Sequence, residues 1–177
     1  DLGNNEFINY EFHENSGKPT IVFSNSLGSD LNMWNPQVEF FKNDFQMILY
    51  DKRGHGKSSP VKGPYTFDML ENDVISIMDE LNITTAHFVG LSMGGMTSLG
   101  LALKYPDRFN KMVCCAARAD MPPPAIESWD QRMAVVEEKG TEGVVQGSIE
   151  RWFSDEFRND SSNSNIINKA GEMIKST

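Results

Sequence analysis

Residues 86–104 read AHFVGLSMGGMTSLGLALK, and this stretch carries three structural signals in direct succession. It opens with a short apolar run, which predicts a strand buried on both faces of a parallel sheet. It closes with a stretch that predicts a helix from Met93 to about Lys104, since the residue before Pro106 resists helical geometry. Between the two lies a glycine-rich turn. The stretch therefore predicts a strand, a tight turn and a helix, which is one unit of an α/β fold.

The turn Gly90-Leu91-Ser92-Met93-Gly94 has the pattern Gly-x-Ser-x-Gly. Between a strand and a helix this pattern is typical of a nucleophile turn, in which the serine hydroxyl is exposed and the flanking glycines avoid collisions. The positive end of the following helix points at the serine and at any oxyanion that develops there. We therefore interpret Ser92 as a catalytic nucleophile and the Met93 N–H as one oxyanion donor. The alternative is a glycine-rich turn with an incidental serine.

Three further apolar runs, bounded by Gly, Asn and Asp, predict buried strands at residues 20–23, 45–50 and 111–116. Residues 9–13 alternate between apolar and polar and predict an antiparallel edge strand. A stripe of apolar residues at helical spacing predicts a helix packed on the sheet, with Thr66 as its N-cap. The stripe consists of Phe67, Leu70, Val74, Ile77, Met78 and Leu81. Alternating strands and helices predict a doubly wound, mostly parallel sheet.

The alternation of predicted strands and helices ends at Pro122-Pro123-Pro124. Two helices, at 127 to about 138 and at 141 to about 152, are predicted there without a strand between them. We expect a helical cap inserted into the α/β fold. The sequence thus predicts an α/β core over residues 1–120 and a helical cap, incomplete in this chain, over residues 121–177.

Composition and charge limit the partners of the chain. It has 177 residues with 16 Lys and Arg against 25 Asp and Glu, a formal net charge of −9. This negative field repels nucleic acid and anionic membranes, and an anionic substrate would need a local cationic group. No apolar run approaches the ~20 residues of a membrane span. No basic stretch followed by an apolar one opens the chain, so we expect a secretory signal to be absent or already removed. The only cysteines, Cys114 and Cys115, match no zinc pattern and are predicted to be buried and reduced in a cytoplasmic protein.

The loop after the first buried strand, residues 24–29, is the expected source of a second oxyanion donor. Many hydrolases with a nucleophile turn carry His-Gly-x-Gly there, and this chain has Asn25-Ser26-Leu27-Gly28. By that match the Leu27 N–H is the second donor. The alternative is a polar loop in which Asn25 or Ser26 only stabilises turns.

His55, in the loop at residues 50–58, is one candidate for the catalytic base. The triad of α/β-hydrolases, however, runs in the order Ser, then Asp or Glu, then His, and His55 precedes Ser92. We favour a structural loop in which Arg53 and Asp51 brace neighbouring loops. No histidine follows Ser92 in the sequence.

Several blocks of the sequence resemble the 3-oxoadipate enol-lactonases of the α/β-hydrolase superfamily. The blocks are Asn25 to Trp34, Tyr50 to Ser58, Gly90 to Met96, Ala116 to Arg118 and Arg151 to Phe157. The resemblance extends from about Phe7 to Arg158. It implies a serine hydrolase that opens a small anionic enol-lactone in the β-ketoadipate pathway of aromatic degradation, with no metal or cofactor.

The resemblance also implies residues outside the nucleophile turn. Relatives carry the catalytic acid and the histidine in strands beyond the cap, and these C-terminal strands are missing from this chain. We expect a further segment or a second chain to supply them, unless the protein is a truncated, inactive relative. Asp120 is an alternative acid, because some relatives place theirs at this point.

Substrate contacts are the least constrained part of the site. Arg118 is the candidate for the substrate carboxylate, since a planar guanidinium binds a carboxylate in two places, although a surface arginine is the alternative. Trp34 and Trp152 are candidates for the acyl pocket, against simple core packing. Other functions left open are a general carboxylesterase, a cofactor-free perhydrolase and a non-catalytic ligand-binding module on the same fold.

Overall fold

Five strands form one sheet in the computed structural model, which describes residues 6–177. The strands are β1 (Tyr10–His13), β2 (Thr20–Ser24), β3 (Gln46–Tyr50), β4 (Ala86–Leu91) and β5 (Phe109–Cys115). Their spatial order is β1-β3-β2-β4-β5. β1 pairs with β3 in antiparallel fashion, and the other three pairs are parallel. The predicted mostly parallel sheet with an antiparallel strand at its edge is confirmed.

The central strands are buried on both faces, as their continuous apolar runs predicted. Successive residues of β2 and β3 point to opposite faces and enter two separate apolar clusters. Val22 and Ile48 lie in one cluster with the helix that follows β3. Phe23 and Leu49 lie in the other, together with Trp34. The sheet therefore gives the turns at its strand ends a rigid support.

Three helices belong to the same part of the chain: α1 (Asn35–Phe41), α2 (Phe67–Glu80) and α3 (Met93–Lys104). The Thr66 side chain accepts the Met69 N–H at 3.2 Å and caps α2 as predicted. The apolar stripe of α2 is largely buried, but Phe67 remains 43% exposed because it lies at the first turn. α3 begins directly after the β4 turn and ends before Pro106, also as predicted.

β5 is the outer strand of the sheet, and most of its side chains are exposed. Cys114 is exposed and Cys115 is half-buried, and both are free thiols. The prediction of two buried cysteines was therefore wrong. A strand with a neighbour on only one side buries fewer of its side chains than a central strand with the same apolar sequence.

The chain divides into two compact units, Asp1–Ala119 and Asp120–Thr177. The second unit contains α4 (Pro123–Lys139), α5 (Val145–Trp152), α6 (Asp155–Asn159) and α7 (Ser164–Lys175). α4 begins four residues before the predicted start at 127, since proline is well suited to the first turn of a helix. Among the residues described, no helix is both long and apolar enough to span a membrane.

Candidate active site

Ser92 occupies the turn between β4 and α3 in a conformation that few side chains adopt. Its φ and ψ angles are 53° and −112°, and it is half-buried. The Ser92 N–H donates to the Cys115 carbonyl at 2.8 Å, and its own carbonyl accepts the Met96 N–H at 2.9 Å. A positive φ at a non-glycine residue costs roughly 1–3 kcal/mol and persists only where the surroundings enforce it. The neighbouring hydrogen bonds hold the serine in this strained turn.

The two glycines of the Gly-x-Ser-x-Gly pattern are required by close backbone contacts. A Cβ atom at Gly90 would lie 2.2 Å from the Gly94 carbonyl oxygen. A Cβ at Gly94 would lie 2.1 Å from the Ser24 carbonyl oxygen at the end of β2. Backbone atoms cannot move aside as a flexible side chain can, so both positions exclude any larger residue.

The loop after β2 is fastened directly to this turn through Asn25, which is fully buried. The Asn25 carbonyl oxygen accepts the Gly94 N–H at 3.0 Å. The Asn25 side chain donates to the Tyr50 carbonyl at 3.1 Å and accepts the Trp34 indole N–H at 3.1 Å. The loop that carries Leu27 is therefore anchored by its first residue to the start of α3.

Leu27 and Met93, the two predicted oxyanion donors, line the same cavity of about 160 Å³. The other lining residues are Arg53, His55, Tyr65, Thr66, Phe67 and Leu70, and Ser92 is not among them. Within residues 6–177, neither the Leu27 nor the Met93 N–H donates to another group of the protein. The structure thus brings the two predicted donor residues to one mostly apolar cavity beside the turn.

His55 supports the Leu27 loop and is not free to act as a base. It is buried, and its Nε2 accepts the Gly28 N–H at 3.1 Å. The ring proton is therefore on Nδ1, which donates to the Arg53 carbonyl at 3.1 Å. Burial, and to a lesser degree the nearby Lys52, lowers the pKa of His55 and keeps the ring neutral. This arrangement agrees with the structural interpretation of the loop.

Arg53 and Asp51 brace neighbouring segments in the same region. Arg53 binds Asp73 of α2 through two buried contacts, Nε–Oδ2 at 2.7 Å and NH2–Oδ1 at 2.5 Å. The Asp51 carboxylate accepts the Leu31 N–H at 2.8 Å and the Lys57 N–H at 3.0 Å. In the part of the chain that the structure describes, no group of three or more His, Cys, Asp or Glu residues is arranged to hold a metal ion.

The remaining predicted site residues are not among those that line this cavity. Trp34 is 6% exposed and packs on Phe23 with ring centroids 5.0 Å apart. Because its indole N–H is also bonded within the core, we do not retain Trp34 as a substrate contact. Arg118 and Asp120 are exposed in the segment after β5. Trp152, at the end of α5, is 40% exposed.

One cationic group of the second unit was not predicted. Arg132 of α4 stacks on Trp129, with its guanidinium carbon 4.0 Å from the ring centroid. Its Nε is buried and has no hydrogen-bond partner among the described residues. Burial, and then the like charge of Arg151, lowers the pKa of Arg132. The sequence contained a signal for this stacking, because residues spaced i, i+3 such as Trp129 and Arg132 are neighbours on a helix surface.

A sequence profile described as the alpha/beta hydrolase fold matches residues 19–164. The chain is 40% identical over 154 residues to 3-oxoadipate enol-lactonase 2 of Acinetobacter baylyi, a match that covers 87% of this chain and 57% of that protein. The enol-lactonase of Burkholderia xenovorans LB400 is similar in structure, with a TM-score of 0.89 and 34% identity over 97% of this chain and 65% of that one. A thermophilic esterase of Thermogutta terrifontis has a TM-score of 0.84 and 28% identity over 96% and 61%. The chain spans less than two thirds of the length of these proteins. The match of the profile over most of its length shows that the chain belongs to the α/β-hydrolase family.

Proposed function

We propose that this chain carries the nucleophile and the oxyanion site of a serine hydrolase that opens a small anionic enol-lactone of the 3-oxoadipate type. One observation carries the proposal. Ser92 stands at φ 53° at the start of α3, beside a cavity lined by both Leu27 and Met93. Acyl transfer requires a serine next to two backbone donors, and here Met93 directly follows Ser92 while Leu27 lines the same cavity as Met93. The enol-lactonases named above support the choice of substrate class.

The chemistry follows from these groups. The Ser92 hydroxyl oxygen attacks the lactone carbonyl and loses its proton to a base, while the Leu27 and Met93 N–H groups stabilise the oxyanion. The ring C–O bond then breaks and the enol oxygen leaves with a proton, which opens the ring and leaves an acyl-enzyme. Water cleaves the acyl-enzyme and releases a carboxylic acid.

The base and its acidic partner are assigned to polypeptide outside this chain. No histidine follows Ser92 in the 177 residues, and His55 is engaged by Gly28. We therefore propose that a further segment or a second chain supplies both groups. The complete enzyme is the one whose kinetics the predictions concern. We further propose a role in aromatic degradation and, from the two free thiols, a location in the reducing cytoplasm.

The charge on the substrate is proposed to be met by Arg118. The net charge of −9 opposes an anionic ligand, so binding needs a local cation. Arg118 lies exposed in the segment after β5 and belongs to the same unit as Ser92. A planar guanidinium can bind a carboxylate through charge-assisted hydrogen bonds.

Arg118→Ala is expected to raise KM for an anionic lactone by about 10- to 100-fold, because a hydrogen bond to a charged group contributes about 1.5–3 kcal/mol. KM for the neutral ester p-nitrophenyl acetate should stay within about twofold, which makes the ester an internal control. Arg108→Ala, at a half-buried arginine of the same unit paired with Asp79, is the matched control. Equal losses on both substrates would contradict the assignment.

A substrate comparison tests the proposed activity itself. The complete enzyme is expected to open the enol-lactone with a kcat/KM at least ~100-fold above its value for p-nitrophenyl esters, because only the anion uses the arginine site. The likeness to the Thermogutta esterase makes a general carboxylesterase the second candidate. A preference for neutral esters would favour the esterase, and peroxide-dependent halogenation without lactonase activity would favour a perhydrolase. Absence of all three activities would contradict a hydrolytic function.

A further inference from the structure

We propose that Lys52 is a positioning residue for catalysis, whose buried ammonium group holds the Asn25 carbonyl oxygen against the Gly94 N–H and thereby fixes the Leu27 donor. This inference rests on the proposed function, since it concerns the same oxyanion site. It assigns to Lys52 a part in the reaction although the side chain touches neither Ser92 nor the substrate cavity.

Lys52 is placed unusually for a lysine. It follows β3 directly and is 1% exposed. Its Nζ donates to the Asn25 carbonyl oxygen and lies 5.6 Å from the centroid of the Tyr50 ring. Among residues 6–177 it forms no ion pair with a carboxylate. Lysine is almost never fully buried unless it is paired, so this position requires an explanation.

The Asn25 carbonyl oxygen connects the loop that carries Leu27 to the start of α3, where Met93 lies. It accepts one hydrogen bond from Gly94, in the first turn of α3, and a second from Lys52. Two residues later comes Leu27, and the following Gly28 N–H is held by His55. The Leu27 peptide is thus held at both ends. A shift at either end would move its N–H relative to Met93, and misplacement by about 1 Å can cost ~100-fold in rate.

The fold itself does not demand this amine. Without Lys52 the Asn25 carbonyl would keep the Gly94 N–H, and no carboxylate would lose an ion-pair partner. Burying an ammonium ion costs several kcal/mol of desolvation, and an apolar side chain of similar size avoids this cost. A lysine that positions the loop should therefore affect turnover far more than folding.

The charge state of Lys52 provides a signature of this role. Burial lowers its pKa to about 7, and Asp51 opposes this shift by favouring the charged form. Two further ionisable groups lie near Lys52. Tyr50 has a pKa raised by burial, and His55 is neutral. Ser24, Asn25 and Gly94 do not titrate. Lys52 is charged below its pKa and becomes a weaker donor above it. Turnover supported by Lys52 should therefore decline as the pH rises through about 7.

The test compares Lys52→Met with Lys57→Met, the same change at an exposed lysine of the same loop, in the complete enzyme. Lys52→Met is expected to lower kcat roughly 10- to 100-fold with KM within about twofold, because an oxyanion donor is misplaced. Its urea midpoint should not fall, and its kcat–pH profile should lack the decline near pH 7. Lys57→Met should match the wild type in all three measurements.

The outcomes separate this inference from the proposed function. Turnover of Lys52→Met equal to that of Lys57→Met, or an unchanged decline of kcat with pH, would overturn the positioning role. A Lys52→Met protein that unfolds at lower urea or cannot be recovered folded would also overturn it, because the lysine would then be structural. Activity in Ser92→Ala would refute the proposed function. Inactive Ser92→Ala beside fully active Lys52→Met would refute only the assignment of Lys52.

Discussion

Replacing Ser92 by alanine in the complete enzyme is expected to lower kcat on the order of 10⁵-fold, with the fold unchanged. Loss of a nucleophile removes the covalent route, and only the modest catalysis by oxyanion donors and binding remains. Alanine tolerates the positive φ of this turn no worse than serine does, so the urea midpoint should stay where it is. The comparison needs kcat for the enol-lactone and for p-nitrophenyl acetate.

Ser98→Ala is the matched control for this prediction. Ser98 lies on α3, six residues beyond Ser92, and its buried hydroxyl donates to the Gly95 carbonyl at 2.6 Å. Its removal should leave kcat within about twofold of the wild type, because a helix-internal bond of this kind contributes only about 1 kcal/mol to stability. If Ser92→Ala retained more than a few per cent of activity, another residue would be the nucleophile.

Gly94→Ala is expected to lower the free energy of unfolding by roughly 3 kcal/mol or more and to abolish activity with it. The added methyl would meet the Ser24 carbonyl oxygen at 2.1 Å and the Asn25 carbonyl oxygen at 2.8 Å. Relief would require β2 and α3 to separate, which would break the Gly94–Asn25 hydrogen bond. Urea denaturation followed by circular dichroism measures the loss.

Gly147→Ala provides the contrast to Gly94→Ala. Gly147 lies within α5, and its Cβ would meet only the tip of Arg151, at 3.4 Å. Alanine is the better helix former by about 1 kcal/mol, so this variant should be as stable as the wild type or more stable. A Gly94→Ala protein with wild-type stability would show that the turn can open, and the packing argument would then be incorrect.

Local patterns in the sequence were sufficient to predict the strands, α2 and α3. The burial of β2 and β3 follows from apolar runs, and the cap of α2 from Thr66. The turn at Ser92 was predictable because two glycines at fixed spacing between a strand and a helix have few other uses. These features depend on neighbours along the chain, which a single sequence displays directly.

Features that depend on distant contacts were not predictable. Lys52 appears polar in the sequence, yet it is buried against Asn25, which lies 27 positions earlier. The sequence makes Trp34 a plausible pocket residue, but its indole N–H donates to the Asn25 side chain in the core. Arg132 resembles any arginine on a solvated helix in the sequence, whereas its Nε is buried without a hydrogen-bond partner among residues 6–177. Burial and pairing are properties of the folded chain.

A covalent label on Ser92 tests the central claim most directly. The complete enzyme would be treated with a fluorophosphonate, digested and examined by mass spectrometry, with Ser92→Ala treated in parallel. We expect one phosphonyl group, located on Ser92, whose formation the substrate slows, and no label on the variant. A label on another serine, or equal labelling of the Ser92→Ala protein, would contradict the assignment of Ser92 as the nucleophile.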